Sequence, residues 1–330
     1  MPIGLKDISK ATGYSISTVS RVLTNKISGN SVSAKNIIQT ARKLGYNKYR
    51  NTVMPSSRVM DVALITQHFS EEFYAYLYSA FDKISIERNI SLTIHSVRHS
   101  KSLQDELSFF SKNHDGFILF LPTLDPFSYN KIKKTMKNYP IVSIAPSFEA
   151  IFDTFTFDSY QGGALAAEAF IKEGYEKFGI IRGPLQKWEA ALRRNGFRDT
   201  IENAGYKVIW DYKGNYSFES GEEAFHNINK QNIRDIAVFT SNDQMAVGFI
   251  HAALENNKKI PKDYGVIGYD NILFSKVFFP KLTTIDTDVN QLSEEAIEQL
   301  TRMINKEVNL DRSARKTLIP VKLIKRDTHK

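Results

Sequence analysis

Cysteine is absent from the 330 residues. Its absence excludes disulfide staples, thiolate metal sites and cysteine nucleophiles, and it suits a reducing compartment. No run of 18 apolar residues occurs, and Met1-Pro2-Ile3-Gly4-Leu5-Lys6-Asp7 lacks the apolar core of a signal peptide, so a cytoplasmic protein is expected. The loops that mark common enzymes are missing too: there is no GxxxxGK[ST], no GxSxG, and no GxGxxG after a strand. Histidine is scarce, at seven residues. His95 and His99 have i, i+4 spacing, but Leu92 to Val97 reads as a strand, where that spacing makes no helical metal pair. The sequence therefore points to no catalytic residues, no metal, no cofactor and no enzyme.

Hydrophobic residues make up 42% and charged residues 24%, ordinary for a folded protein long enough for two or three domains. The net charge of +8 is not spread evenly. Residues 1–60 hold ten Lys and Arg against one acid, Asp7, while the other 270 residues hold 34 bases and 35 acids. A small basic module on a neutral body points to a polyanion, most simply nucleic acid. A solvated basic tail has the same composition, so the pattern inside the module decides.

Leu5, Ile8 and Ala11 share one face of a short helix, Gly13 supplies a tight turn, and Tyr14 is placed to close over the apolar face. Ser15 is a good N-cap for a second helix from Ile16 to about Thr24, with Val19, Val22 and Leu23 inward and Ile16, Ser17, Ser20 and Arg21 outward. Ile37, Ile38, Ala41 and Leu44 form the stripe of a third helix ending at Gly45, with Tyr46 packing back. Three short helices with a sharp first turn make a helix-turn-helix unit.

The run from Leu5 to Leu23, with Ser17-Thr18-Val19-Ser20-Arg21-Val22-Leu23 at its end and Leu44-Gly45-Tyr46 after it, resembles the headpiece of LacI/GalR-family transcription regulators. The resemblance implies that the second helix enters the major groove of operator DNA. There Ile16 and Ser17 meet base edges, and Arg21 is suited to a bidentate contact with guanine. Ser15, Thr18 and Ser20 suit phosphate oxygens. Helix capping is the alternative for Ser17 and Thr18, and a surface charge for Arg21.

The family's hinge departs here. The segment from Asn47 to Arg58 has no Ala-x-x-Leu stretch, is about three residues short, and contains Pro55, which disrupts a helix interior. Val53 or Met54 would be the apolar wedge in the minor groove; alternatively the segment is a linker whose Lys48 and Arg50 follow phosphates.

From residue 60 onward, short apolar runs alternate with amphipathic segments. The runs include Val62 to Ile65, Gly116 to Leu121, Ile141 to Ile144, Phe178 to Ile181, Ile236 to Phe239 and Gly265 to Gly268. Such alternation indicates βαβ units around parallel sheets. The expected fold is an N-terminal all-α helix-turn-helix headpiece plus an α/β core of two doubly wound parallel-sheet lobes, similar to periplasmic binding proteins. The expected boundaries are 1–46 for the DNA-binding domain and 47–60 for the hinge. Residues 61–173 and 286–318 form the first lobe; 174–285 and 319–330 form the second.

The resemblance extends through this body, at Phe157 to Ala164, Arg193 to Phe197, Ser241 to Ala246, Gly268 to Asn271 and Leu282 to Ile285. It implies a small-molecule effector in the cleft between lobes. Arg193 would anchor its hydroxyls or carboxylate, Asn242 and Asp270 would hold sugar hydroxyls, and Tyr216 would stack on a sugar face. Phe73 and Tyr74 would line the first lobe's side, with Asp158 and Gln161 as weaker carry-overs. The alternatives are a helix-surface charge for Arg193, a cap on the next turn for Asp270, and ordinary core for Tyr216 and Phe73. No leucine heptads follow Arg326, so the state implied is a homodimer on a near-palindromic operator. Phe274, Phe278 and Phe279 are the candidate subunit contact, with core packing as the alternative. The function implied is a nucleoid-associated regulator, most simply a repressor, of a sugar-utilisation operon. The alternative is a LacI-type regulator controlled by a partner protein or a non-sugar effector such as a purine.

Overall fold

Gly4 opens the first helix in an extended conformation, its N–H donating to Asp7 Oδ2 at 2.8 Å. That cap starts α1 (Leu5–Thr12), which Gly13 ends at φ +73°, a left-handed geometry that a Cβ would strain. The computed structural model of the chain describes residues 4–23, 31–44, 46, 59–67, 72–97, 103–144, 149–184 and 186–330. Residues 1–60 and 61–330 are separate compact units.

In the first unit, the Thr18 N–H donates to Ser15 Oγ at 3.1 Å, capping α2 (Ile16–Leu23). Ser31 does the same for α3 (Val32–Lys43), through the Ala34 N–H at 3.2 Å. Ile8, Val19, Val22, Leu23, Ala34, Ile37 and Ala41 form a closed core, with Tyr46 buried against it. Ala11 is exposed, so the inner face of α1 is carried by Ile8 and Leu5, with Tyr14 packed beside them.

The second unit begins with β1 (Met60–Thr66), α4 (Glu72–Glu87), β2 (Ile90–Ser96), α5 (Leu103–Phe110), β3 (Gly116–Phe120), α6 (Pro126–Thr135), β4 (Ile141–Ser143) and β5 (Asp153–Phe157). β3, β4 and β5 are buried along their whole length, which suits a parallel sheet covered on both faces. The chain then crosses to α7 (Ser159–Lys172), β6 (Phe178–Arg182), α8 (Trp188–Asn203), β7 (Val208–Lys213), α9 (Phe218–Lys230), β8 (Ile236–Thr240), α10 (Asp243–Glu255), β9 (Tyr264–Asp270), α11 (Leu273–Val277) and β10 (Thr283–Thr287). It returns through α12 (Val289–Ile304) and β11 (Lys316–Ile319), and crosses once more to β12 (Val321–Ile324).

Two six-stranded sheets result, ordered β2-β1-β3-β4-β5-β11 and β7-β6-β8-β9-β10-β12. Both carry the 2-1-3-4-5 order of a doubly wound fold, followed by one strand donated from the chain's end. β11 joins the first sheet parallel to β5, whereas β12 runs antiparallel to β10.

The lobe boundary differs from the expected 173/174. Helix α7 packs on α8 and against strands of the second sheet, so the chain changes lobe near Asp158. The cause is a close helix crossing. A Cβ on Gly163 would lie 2.0 Å from the Arg193 carbonyl oxygen, and one on Gly196 would lie 1.9 Å from that of Tyr160. The edge strand β7, between Lys207 and Gly214, is unanticipated by the apolar runs, because its burial alternates and half of it faces solvent.

Candidate functional site

Helix α2 presents Ile16, Ser17 and Arg21 to solvent, while Thr18 and Ser20 are half-buried. Ser15 is the cap: its Oγ also lies 2.9 Å from Ser17 Oγ and 2.8 Å from Thr18 Oγ1. Ile16, 43% exposed at the helix start, leaves apolar surface available for contact. Lys48, Arg50, Val53 and Met54 lie outside the described residues.

In the second unit a cavity open to solvent lies between the lobes at the carboxyl ends of both sheets. Doubly wound sheets leave such a crevice where strand order reverses, here after β1 and β3 in one lobe and after β6 and β8 in the other. The first lobe contributes Phe73, Tyr74 and Leu77 from α4, with Phe120, Ile144 and Phe157 from strand ends. The second contributes Lys187, Glu189, Arg193, Tyr216, Asn242 and Asp270. Six of the eight expected effector residues are therefore brought together: Phe73, Tyr74, Arg193, Tyr216, Asn242 and Asp270.

Arg193 is buried, not a surface charge. Its Nη1 donates to the Ser241 carbonyl at 2.5 Å, its Nη2 lies 3.4 Å from Asp270 Oδ1, and the guanidinium sits 3.7 Å above the Tyr269 ring. Burial alone would lower its pKa, but Asp270 and the neighbouring Tyr216, Tyr269 and Glu189 more than offset that, so the group stays charged. Burial pushes the Tyr269 hydroxyl up to about 12, so it is neutral beneath the guanidinium. Arg193 Nε is buried without a hydrogen-bond partner. A planar donor held this way is pre-organised for a ligand oxygen.

Tyr216 and Asp270 hold left-handed backbone conformations, φ +77° and +110°, which non-glycine residues adopt only under constraint. For Tyr216 the constraint is visible. Asn242 Nδ2 donates to its carbonyl at 2.9 Å, and the ring lies where Gly183 would otherwise carry a Cβ, 2.5 Å away. Asn242 is also the N-cap of α10, its Oδ1 accepting from the Met245 N–H at 3.0 Å. Much of this side chain is thus committed to structure.

At the next turn the cap is supplied by Asp243, whose carboxylate accepts from the Ile272 N–H at 3.0 Å and from Thr284 Oγ1 at 2.5 Å. Burial, and then the nearby Asp270, raise the Asp243 carboxyl well above the usual range. Asp158 and Gln161 stay out of the cavity lining. Asp158 caps α7 through the Gln161 N–H at 3.0 Å, and the Gln161 side chain faces solvent.

Lys187, Glu189 and Gln244 line the cavity without having been anticipated. Glu189 stands one helical turn before Arg193, an i, i+4 relation that places both on one face of α8. Lys187 Nζ lies 4.7 Å from the Tyr216 ring centre and 5.8 Å from that of Tyr74, so an ammonium already rests between aromatic faces of the two lobes. His95 stacks on Phe110 at 4.0 Å, a packing role, and His99 lies outside the described residues. Away from the cavity, Glu222, His251 and Glu255 cluster on α9 and α10, where His251 Nδ1 lies 3.0 Å from Glu222 Oε1.

Comparison with known proteins agrees with this anatomy. Residues 167–329 match the periplasmic binding protein-like domain. The ribose operon repressor of Escherichia coli (strain K12) is 29% identical over 321 residues, covering 91% of this chain and 92% of the relative. Among solved structures, the lac repressor dimer bound to operator and the anti-inducer ONPF superposes with a TM-score of 0.80 at 23% identity, covering 99% of both chains. A LacI family transcriptional regulator from Enterococcus faecium with bound ribose gives a TM-score of 0.70 at 20% identity, covering 82% of this chain and 98% of the other. With the helix-turn-helix unit, the two doubly wound lobes and these matches along nearly the whole chain, the protein is similar throughout to LacI/GalR-type transcription regulators.

Proposed function

We propose that the chain is a transcriptional repressor that binds operator DNA as a homodimer and is controlled by a sugar-like effector between its lobes. The observation that carries the effector reading is the buried Arg193–Asp270 pair at the floor of a cavity walled by aromatic rings from both lobes. Planar charged groups fix vicinal hydroxyls, and aromatic faces cover the apolar side of a pyranose or furanose ring. Relatives of similar architecture include a ribose operon repressor and a regulator with bound ribose, which supports the same class of ligand.

Because both lobes line the cavity, a ligand that contacts both changes the balance between open and closed arrangements. Coupling of this kind is typically worth ~1–3 kcal/mol between effector and DNA. DNA contacts are assigned to Ile16, Ser17 and Arg21, with Ser15, Thr18 and Ser20 near phosphates. Lys48, Arg50, Val53 and Met54 complete the proposal from sequence. A homodimer is supported by Leu273, Phe274, Val277 and Phe279, all exposed along one segment of the second lobe. Phe278 packs into that lobe's core and leaves the candidate contact. A non-enzymatic role is part of the reading, supported by relatives that are transcriptional repressors, among them the ribose operon repressor.

Fluorescence anisotropy on the DNA upstream of the protein's own gene, with and without a panel of sugars, tests the proposal. Tight, salt-sensitive binding altered by one sugar is the expected result. Tight binding indifferent to every sugar would transfer control to a partner protein or a non-sugar effector.

A further inference from the structure

On the outer edge of the second lobe three arginines converge on one carboxylate. Asp211 Oδ1 accepts from Arg182 Nε at 2.6 Å. Asp211 Oδ2 accepts from Arg198 Nη2 at 3.0 Å and from Arg194 Nε and Nη2 at 3.3 Å each. None of the four residues lines the inter-lobe cavity.

One guanidinium and one carboxylate already satisfy each other in a bidentate pair. The second and third arginines therefore bring an excess of two positive charges and mutual repulsion. Lys213, paired in register with Arg182 and exposed, adds a fourth base at the same edge. Asp199, the acid next to Arg198 in sequence, is turned onto the Tyr160 hydroxyl at 2.9 Å. Three guanidinium groups carry fifteen N–H donors, of which Asp211 takes four. Arg198 Nε is buried without a hydrogen-bond partner. The donors come from β6 and α8 around a carboxylate on β7, so regular elements rather than loops fix their spacing.

We propose that Arg182, Arg194 and Arg198 form a binding site for a phosphoryl oxyanion beside Asp211, separate from the effector cavity. A phosphoryl group offers three oxygens to planar donors and neutralises the excess charge that one carboxylate leaves. The site does not depend on the identity of the effector, although Arg193 and Arg194, adjacent on α8, face the cavity and this cluster respectively.

The test uses the full chain in sodium phosphate against sodium chloride at matched ionic strength, read by calorimetry and by the thermal midpoint. Inorganic phosphate should bind with a Kd of about 1 mM, so that 100 mM raises the midpoint beyond chloride by a linkage factor of roughly 100 in folding equilibrium. Replacing both Arg194→Ala and Arg198→Ala should weaken binding at least tenfold. Asp211→Asn should do the opposite: three arginines without a counter-charge bind phosphate more tightly, and phosphate restores the stability the substitution removes. O-phosphoserine, run in parallel, distinguishes free phosphate from a phosphoryl group carried on a larger molecule. If phosphate does no more than chloride for both the wild type and Asp211→Asn, the arginines serve only to neutralise Asp211 and the proposal falls.

Discussion

Glu72 Oε1, at the start of α4 in the first lobe, accepts a hydrogen bond at 3.1 Å from the backbone N–H of Leu273 in the second. The two residues are 201 positions apart and belong to opposite lobes. Glu72 precedes the cavity residues Phe73 and Tyr74, and Leu273 follows the turn that begins at Asp270. The carboxylate is drawn above its ordinary range by burial, while the N–H groups of Leu273 and Phe274 pull it back. It is therefore a contact made by this arrangement of the lobes and lost when they part.

Glu72→Ala should favour the open arrangement. The contact is partly solvated, so the expected loss is about 1 kcal/mol rather than the full value of a charge-assisted bond. Small-angle scattering of the ligand-free protein should show a larger radius of gyration for Glu72→Ala. Glu72→Gln, which keeps an acceptor oxygen, should stay near the wild type. An unchanged radius in the alanine variant would mean that the contact does not hold the lobes.

Arg193→Lys should weaken the effector response while leaving the fold intact. Lysine keeps the charge beside Asp270 but cannot make the planar stack on Tyr269 or reach Ser241 and a ligand together. At least a tenfold rise in the concentration of the responding sugar is expected in the anisotropy assay. Arg193→Ala should instead destabilise the protein by about 3–5 kcal/mol, because it strands the buried Asp270 charge. Urea unfolding separates the two outcomes.

The helix-turn-helix unit was legible because its signals are local: Ser15 caps, Gly13 turns, and Val19, Val22 and Leu23 repeat with helical period. The strands were legible where both faces are buried, as in Gly116 to Phe120. The lobe boundary was not. The break at Lys172-Glu173-Gly174 looks like a domain edge, whereas Gly163 and Gly196 commit α7 to the second lobe through a contact 33 residues apart in sequence. Asp158 and Asn242 show the same limit at the site. Each sits before a helix, and capping consumes side-chain atoms that sequence matching assigns to a ligand. Glu189 was within reach through its spacing to Arg193, but Lys187 lies opposite Tyr74 only because the two lobes meet.

Gly196→Ala tests that crossing. The new Cβ would sit 1.9 Å from backbone oxygen, which no rotamer can relieve, so α7 and α8 must separate. A loss of about 3 kcal/mol or more is expected, at the upper end for overpacking. Gly174→Ala is the control: its φ of +76° strains alanine, yet nothing lies within 4 Å. About 1 kcal/mol is expected there. Equal losses at both positions would remove the steric argument.

Stability should fall on acidification below about pH 6.5 through two histidines. Burial, then His114, lowers the pKa of His95; burial, then Lys325, lowers that of His329. A lowered folded pKa means that the unfolded chain binds more protons in this range, so stability is full above the unfolded value of about 6.5 and declines as pH drops toward the folded values. Asp243, with its raised pKa, acts in the opposite sense, so the variant comparison is the informative one. His95→Phe, which preserves the stack on Phe110, should reduce the difference in urea midpoint between pH 7.5 and 5.5. An identical difference would mean that His95 does not titrate with folding.

Arg21 is the residue on which sequence reading of DNA should depend. It is exposed on α2 one turn beyond Ile16 and Ser17, and a guanidinium there can take guanine O6 and N7 together. Arg21→Ala should cost ~1–3 kcal/mol of operator affinity and relax the preference at one base pair in each half-site, with the other positions still discriminated. A phosphate contact behaves differently: its loss weakens all sequences alike and lowers the slope of log affinity against log salt by about one. Anisotropy with single-base operator variants at two salt concentrations separates the cases. Uniform weakening across every variant would move Arg21 from the base edges to the phosphate backbone, and the reading of sequence would rest on Ile16 and Ser17.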